Sequence, residues 1–186
     1  MSTLHSLDFA ITFHGPFHVA RGQAAGGVDR AVDAEQLLPA SSLKGLLRAE
    51  AREQLEIADT WIAEVFGARA PSPWAWSDAE VIAPVIRRSA RIRIADSERG
   101  QTEDEFLMIG QQVWATSARF RVDQWGPIAE DRLDTHLLIL TASALSVTSL
   151  GGSRRRGEGW VSITRPGFAW DSDASAALLR LRKAVA

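Results

Sequence analysis

"LLPASSLKGLLRAEAREQL", Leu37 to Leu55, begins like the end of a buried strand and turns at once into a helix. Ser41 or Ser42 can cap that helix, which runs to about Leu55. Leu43, Leu46, Leu47 and Leu55 lie toward one face, the core face, while Lys44, Arg48 and Arg52 recur every fourth residue and stack along another. Two first-turn residues are odd for a core helix. Gly45 weakens the helix, and an acid would suit its positive end better than Lys44 does. A phosphate at the helix start accounts for both, because the free N–H groups there attract anions and Gly45 permits close approach. A solvated basic stripe paired with Glu50, Glu53 and Glu56 is the other reading.

Around this helix the pattern of elements is readable. Leu7 to Phe13 alternates as a first strand, and His14 to Gln36 is a Gly/Ala-rich loop, long for a compact domain. A short helix near Trp61 to Phe66 ends at Gly67, and a Pro/Ser/Trp loop follows. Val85 to Ile94 reads as a second strand, with Ile92 and Ile94 alternating against Arg91 and Arg93. Val113 to Val122 reads as a third, with Phe120 and Val122 against Arg119 and Arg121. Pro127 suits the first turn of a helix reaching about Leu150. A strand at Trp160 to Thr164 and a last helix at Ala174 to Ala184 complete the chain. The order predicts an α+β fold, ferredoxin-like or RRM-like: a four-stranded antiparallel sheet with helices on one face, in one domain over residues 1–186. The strand arginines would share the face away from the apolar residues, where a plain solvated surface also explains them.

Composition narrows the partners. The 186 residues include no cysteine, which removes disulfides and thiolate metal sites and is compatible with a reducing cytoplasm. No apolar run reaches the roughly 18 residues of a membrane span, and no basic-then-apolar leader opens the chain. A net charge of -2 and a pI near 6.1 argue against a generic basic nucleic-acid coat. The distribution says more. Arg87, Arg88, Arg91 and Arg93 fall between Pro84 and Ile94 with no acid, and Gly151 to Arg165 sets four arginines against the single Glu158. Acids gather at Glu98 to Glu105 and Asp123 to Asp134. Local basic stripes on an acidic protein fit a specific anion-binding groove.

"LGGSRRRGEGW", Leu150 to Trp160, is the second unusual stretch. Gly151, Gly152, Gly157 and Gly159 allow sharp turns and exposed N–H groups, while Arg154, Arg155 and Arg156 offer forks for phosphate oxygens. The spacing is not that of a nucleotide-binding P-loop. A helix C-cap followed by a flexible turn is the simpler alternative.

These residues carry a resemblance. "LPASSLKGLLR" resembles the "IPGSSLKGxLR" signature of the RAMP superfamily, the RNA-binding subunits of CRISPR effector complexes. "LGGSRRRGEGWVSI" is similar to that superfamily's C-terminal glycine-rich loop, and "IAEVFG", "RIRIADS" and "GQQVWATSARFRV" resemble intervening elements in order. The likeness runs from about Leu7 to Thr164 and is closest to the backbone subunits of type III effectors. It implies that guide RNA, target RNA and other effector subunits are the partners. It also implies that Ser41, Ser42, Lys44, Gly45, Arg48, Arg91, Arg93, Gly151, Gly152, Arg154, Arg155, Arg156, Gly157 and Gly159 meet RNA. "GGVDRAVD" resembles the loop whose aspartate cuts target RNA, which implies Asp29 as catalytic residue and ligand of a divalent ion such as Mg²⁺, with Asp33 as the fallback. Asp29 also suits an ordinary Gly-rich turn.

The sequence departs from that pattern twice. The loop between Asp29 and Pro39 is short, and so is Ser97 to Gly110, where backbone subunits carry a thumb-like insertion. A reduced thumb is therefore expected, and "EDEFLMIG" suits a protein contact better than RNA. Two other functions remain open: a RAMP subunit that binds without cutting, and a metal-independent endonuclease processing precursor guide RNA through His14 or His18. No tryptophan is assigned to RNA.

Overall fold

The computed structural model describes residues 4–20, 30–94, 102–154 and 157–183. The chain runs β1 (Ser6–Phe13), α1 (Ala40–Glu53), α2 (Asp59–Phe66), β2 (Trp74–Trp76), β3 (Glu80–Ile82), β4 (Val85–Ile94), β5 (Thr102–Trp114), β6 (Ser117–Gln124), α3 (Glu130–Ser146), β7 (Val161–Thr164) and α4 (Ser172–Arg180).

Strict alternation makes β1 a half-buried strand: Leu7, Phe9, Ile11 and Phe13 are buried, while Ser6, Asp8 and Thr12 are exposed. β6 repeats the pattern with Ala118, Phe120 and Val122 inside and Arg119 and Arg121 outside. Phe9 pairs directly with Phe120, and their rings stack with centroids 4.9 Å apart. Val161 and Ile163 of β7 extend the apolar face. The strands form an antiparallel sheet in the order β2-β6-β1-β7, with β3 also pairing with β6. Leu43 and Leu47 of α1 and Ile139 and Leu140 of α3 close over the apolar face in one core. The opposite face, carrying Arg119 and Arg121, is open.

Two expected strands fall differently. Val85–Ile94 does not join this sheet; β4 pairs with β5 from Val85↔Trp114 to Ile94↔Thr102 as a separate two-stranded sheet. The places beside β6 go to short β2 and β3, whose Trp74 is buried. Val85, Ile86, Arg87 and Arg88 are exposed, so the first half of β4 has no buried face to offer the core. The third strand expected at Val113–Val122 is broken at Ala115 and Thr116: Trp114 ends β5, and Ser117 begins β6. Of the segment Ser97–Gly110, Thr102–Gly110 lies in β5, and residues 97–101 are outside the described residues.

A buried polar staple joins β2, α2 and α3. Trp74 Nε1 donates to His136 Nδ1 at 3.1 Å, and His136 Nε2 meets Glu64 Oε1 at 3.1 Å. Because an indole N–H can only donate, Nδ1 must be the acceptor, which fixes the neutral tautomer with its proton on Nε2. Glu64 in turn holds Arg132, whose guanidinium lies 3.8 Å from the Trp61 ring centroid. Burial is the main cause pushing His136 below its ordinary pKa, and the Arg132 hydrogen bond is the main cause holding Glu64 low.

Candidate nucleic-acid interface

The start of α1 answers the question its sequence raises. Neither Ser41 nor Ser42 is the cap; Pro39 occupies the N-cap in an extended conformation, and no cap side chain bonds the helix. The anion comes from the chain itself. Asp78, in the loop between β2 and β3, accepts from Ala40 N at 2.7 Å and from Gln36 Nε2 at 2.8 Å. Those two hydrogen bonds, the Gln36 one first, lower its pKa. An outside carboxylate thus satisfies a first-turn donor in the role usually taken by an N-cap side chain.

Lys44 and Arg48 are not accounted for in this way. Arg52 pairs with Asp59 at 3.6 Å, but neither Lys44 nor Arg48 forms an ion pair among the described residues. Burial first, and the neighbouring Arg48 second, push the Lys44 ammonium below its ordinary range. Arg48 Nε is buried without a hydrogen-bond partner there. Gly45 is exposed beside them, and a β-carbon built on it would meet no atom within 4 Å. A glycine on an open helix face costs about 1 kcal/mol relative to alanine and relieves no crowding within the chain.

The glycine-rich loop packs against the segment after β1. Gly152 N donates to His18 O, Gly159 N to Pro16 O and Leu150 N to Gly159 O, each at 2.8 Å. Gly151 and Gly159 have positive φ, and added β-carbons would lie 2.3 Å from His18 O and 1.9 Å from Leu150 O. Their smallness is thus required by close approach to the chain's own carbonyls. Gly157 also has positive φ but stands in open space. Exposed Arg154 lies near Glu50 of α1, lowering a carboxyl pKa that burial raises more strongly.

These packings bring the two sequence motifs together. A cleft of about 510 Å³ opens between Ser42 of α1, Gly151, Gly152 and Ser153 of the loop, and His18 and Arg30 on the other side. Arg30 docks by pairing with Gly110, and its carbonyl accepts from Gln111 N at 2.8 Å. Its guanidinium lies 3.6 Å from the carboxylate of Glu158, which is buried and also accepts from Gln112 Nε2. His18 is buried with Nδ1 2.9 Å from Gln111 O, so Nδ1 carries the proton.

Other expected residues are not gathered there. Asp29, Arg155 and Arg156 lie outside the described residues, as do the side chains of Arg91 and Arg93 on β4. Asp33 accepts from Glu35 N at 3.1 Å through Oδ1, closing a local turn. Among the described residues no group of three or more His, Asp or Glu side chains could hold a metal ion. His14 faces the open side of the sheet, with Nε2 2.7 Å from Ser162 Oγ, and therefore does not share the His18 cleft.

Sequence reading missed Asp78, Arg30 and Glu158. Glu158 left a signal, being the one acid in an arginine-rich stretch; Arg30 and Asp78 depend on contacts distant in sequence.

An antiparallel α+β domain whose glycine-rich loop packs on the segment after β1 and faces the start of α1 across a cleft defines the class. A model of the RAMP superfamily matches residues 10–162, and the chain belongs to that superfamily. Among solved structures, one similar chain comes from "Type III-B Cmr-beta Cryo-EM structure of the Apo state", with a TM-score of 0.70 and 14% identity over 87% of this chain and 97% of that one. Another, from "Cryo-EM structure of the Type III-B Cmr-beta bound to cognate target RNA", has a TM-score of 0.59 and 16% identity over 86% of this chain and 58% of that one. No curated protein matches the sequence. No helix among the described residues is long and apolar enough to cross a membrane.

Proposed function

We propose that this protein is an RNA-binding backbone subunit of a type III CRISPR effector, holding guide RNA along α1 and the glycine-rich loop. The observation that carries this reading is the cationic pair Lys44 and Arg48, without an acidic partner among the described residues and beside the open surface of Gly45. A polyanion supplies the missing counter-charge, and Gly45 gives it room. Superfamily membership and likeness to chains of type III-B Cmr-beta structures support the assignment. Sequence readout would belong to base pairing, with the protein holding the backbone by shape and charge. Read with β2 and β3 as one interrupted strand, the order β7-β1-β6-β2 is ferredoxin-like, and the β4–β5 hairpin takes the place of the thumb.

Target-RNA cleavage is the finer part of the proposal. Asp29 is its proposed carboxylate, and a divalent ion such as Mg²⁺ would supply the Lewis acid for attack by a 2′-hydroxyl. The described residues add no second carboxylate cluster, so this part rests on Asp29 and the loop that resembles the family's. The test is RNA extracted from the purified effector, followed by a target-cleavage assay with Asp29→Ala and with EDTA. Bound guide RNA and cleavage lost under both treatments support the full reading. Guide binding without any cleavage leaves a non-cutting subunit. Cleavage that survives EDTA and Asp29→Ala favours a metal-independent endonuclease.

A further inference from the structure

We infer that Arg30 is a phosphate-contacting residue of the cleft and that buried Glu158 is the residue that positions it. This deepens the RNA-binding reading and rests on it. Glu158 is only 3% exposed although it is a carboxylate, and burying that charge is costly unless it is paired. The Arg30 guanidinium, 3.6 Å away, supplies one partner and Gln112 Nε2 another. Arg30 itself is not sealed in: its side chain is 22% exposed and lines the cleft beside Ser42 and Gly152.

The arrangement is asymmetric. The acid is hidden beneath, and the fork of the guanidinium retains donors on the cleft side. Five N–H groups in a rigid fork leave several for an outside oxygen once one carboxylate is engaged. Two backbone features hold the residue itself: the bridge to Gly110 and the hydrogen bond from Gln111 N. Gly152 packs beside the same guanidinium. A β-carbon there would lie 3.3 Å from Arg30 Nη2, close enough to shift it by a few tenths of an ångström. Gly152, Glu158 and Gln112 therefore converge on the placement of one cation.

Simple charge arithmetic and this positioning role predict opposite signs for one variant. Glu158→Gln makes the protein less negative, so general electrostatics predicts tighter RNA binding. Loss of the anchor predicts weaker binding. The experiment is titration of an end-labelled single-stranded RNA with the full chain at several salt concentrations. Arg30→Gln should weaken binding about tenfold and reduce the salt slope by about 0.7, the counterions released by one phosphate contact. Glu158→Gln should weaken binding in the same direction, and the double variant should be no worse than Arg30→Gln alone.

Unchanged or tighter binding by folded Glu158→Gln overturns the positioning role. An unchanged salt slope in Arg30→Gln overturns the phosphate contact, because a purely structural ion pair alters stability and not the slope. If Glu158→Gln fails to fold by circular dichroism, Gly152→Ala decides the matter, with weaker binding expected and unchanged affinity contradictory. Variants at Lys44 separate this proposal from the broader one: a slope that falls for Lys44→Gln but not Arg30→Gln keeps RNA binding and rejects Arg30. If no variant moves the slope, or the parent chain binds no RNA, both are rejected.

Discussion

Gly159 and Leu150 meet at the base of the glycine-rich loop, where Leu150 N donates to Gly159 O at 2.8 Å and a β-carbon on Gly159 would lie 1.9 Å from Leu150 O. Gly157, two residues earlier, has a similar φ of +81° against +76° but open space around it. The two positions separate backbone preference from steric exclusion. Gly157→Ala should cost about 1–2 kcal/mol, the penalty of a left-handed alanine. Gly159→Ala should cost roughly a further 1–3 kcal/mol, because the Leu150 carbonyl must move. Urea unfolding of both variants checks this, and equal losses would mean that the loop shifts without resistance.

At the start of α1, Asp78 and Gly45 make opposite predictions. Asp78→Ala removes the acceptor for Ala40 N and should lower stability by about 0.5–2 kcal/mol, as loss of a helix cap does. Gly45→Ala places a methyl group in empty space and should raise stability by about 1 kcal/mol. If RNA approaches this surface, the same alanine should weaken RNA binding. A variant that is more stable and binds RNA as well as the parent would show that the glycine serves no ligand.

The His136 staple makes stability depend on pH. Its folded pKa lies below the ordinary 6.5, so the unfolded chain takes up a proton first as pH falls. Stability from the neutral ring is fully present above about 6.5 and is lost as pH drops from there toward the folded value. Protonation would also set a proton on Nδ1 against Trp74 Nε1–H. Glu64 acts in the same direction at lower pH, since its folded pKa lies below 4.5. His136→Gln can still accept from Trp74 and donate to Glu64, but it does not titrate. Unfolding free energies from urea titrations at about pH 5 and about pH 7.5 should differ less for this variant than for the parent, the loss falling below about pH 6.5. An equal difference in both proteins would place the acid sensitivity elsewhere.

The sequence made some of this legible for identifiable reasons. Leu43 and Leu47 declared a helix face, and Phe120 and Val122 a strand face, because burial imprints its period on each element. Alternation in Val85–Ile94 revealed a strand but carried no information about its neighbour, so its pairing with β5 was hidden. The strands that lie beside β6 instead, Trp74–Trp76 and Glu80–Ile82, are too short for a period to emerge. The cationic face of α1 was readable as charge, whereas the absence of an ion pair at Lys44 and Arg48 among the described residues was not. Asp78 reaches Ala40 across 38 residues, and Glu158 meets Arg30 from the opposite end of the chain; neither contact leaves a local pattern.

The salt dependence of RNA binding tests the central claim most directly. Lys44 and Arg48 each stand for one phosphate contact, so the Lys44→Gln/Arg48→Gln variant should reduce the magnitude of the slope of log K against log salt by about 1.4 for single-stranded RNA. Binding should weaken similarly for RNAs of different sequence, because these contacts read no bases. A slope equal to that of the parent, with RNA still bound, would contradict the claim that this face of α1 holds the RNA backbone.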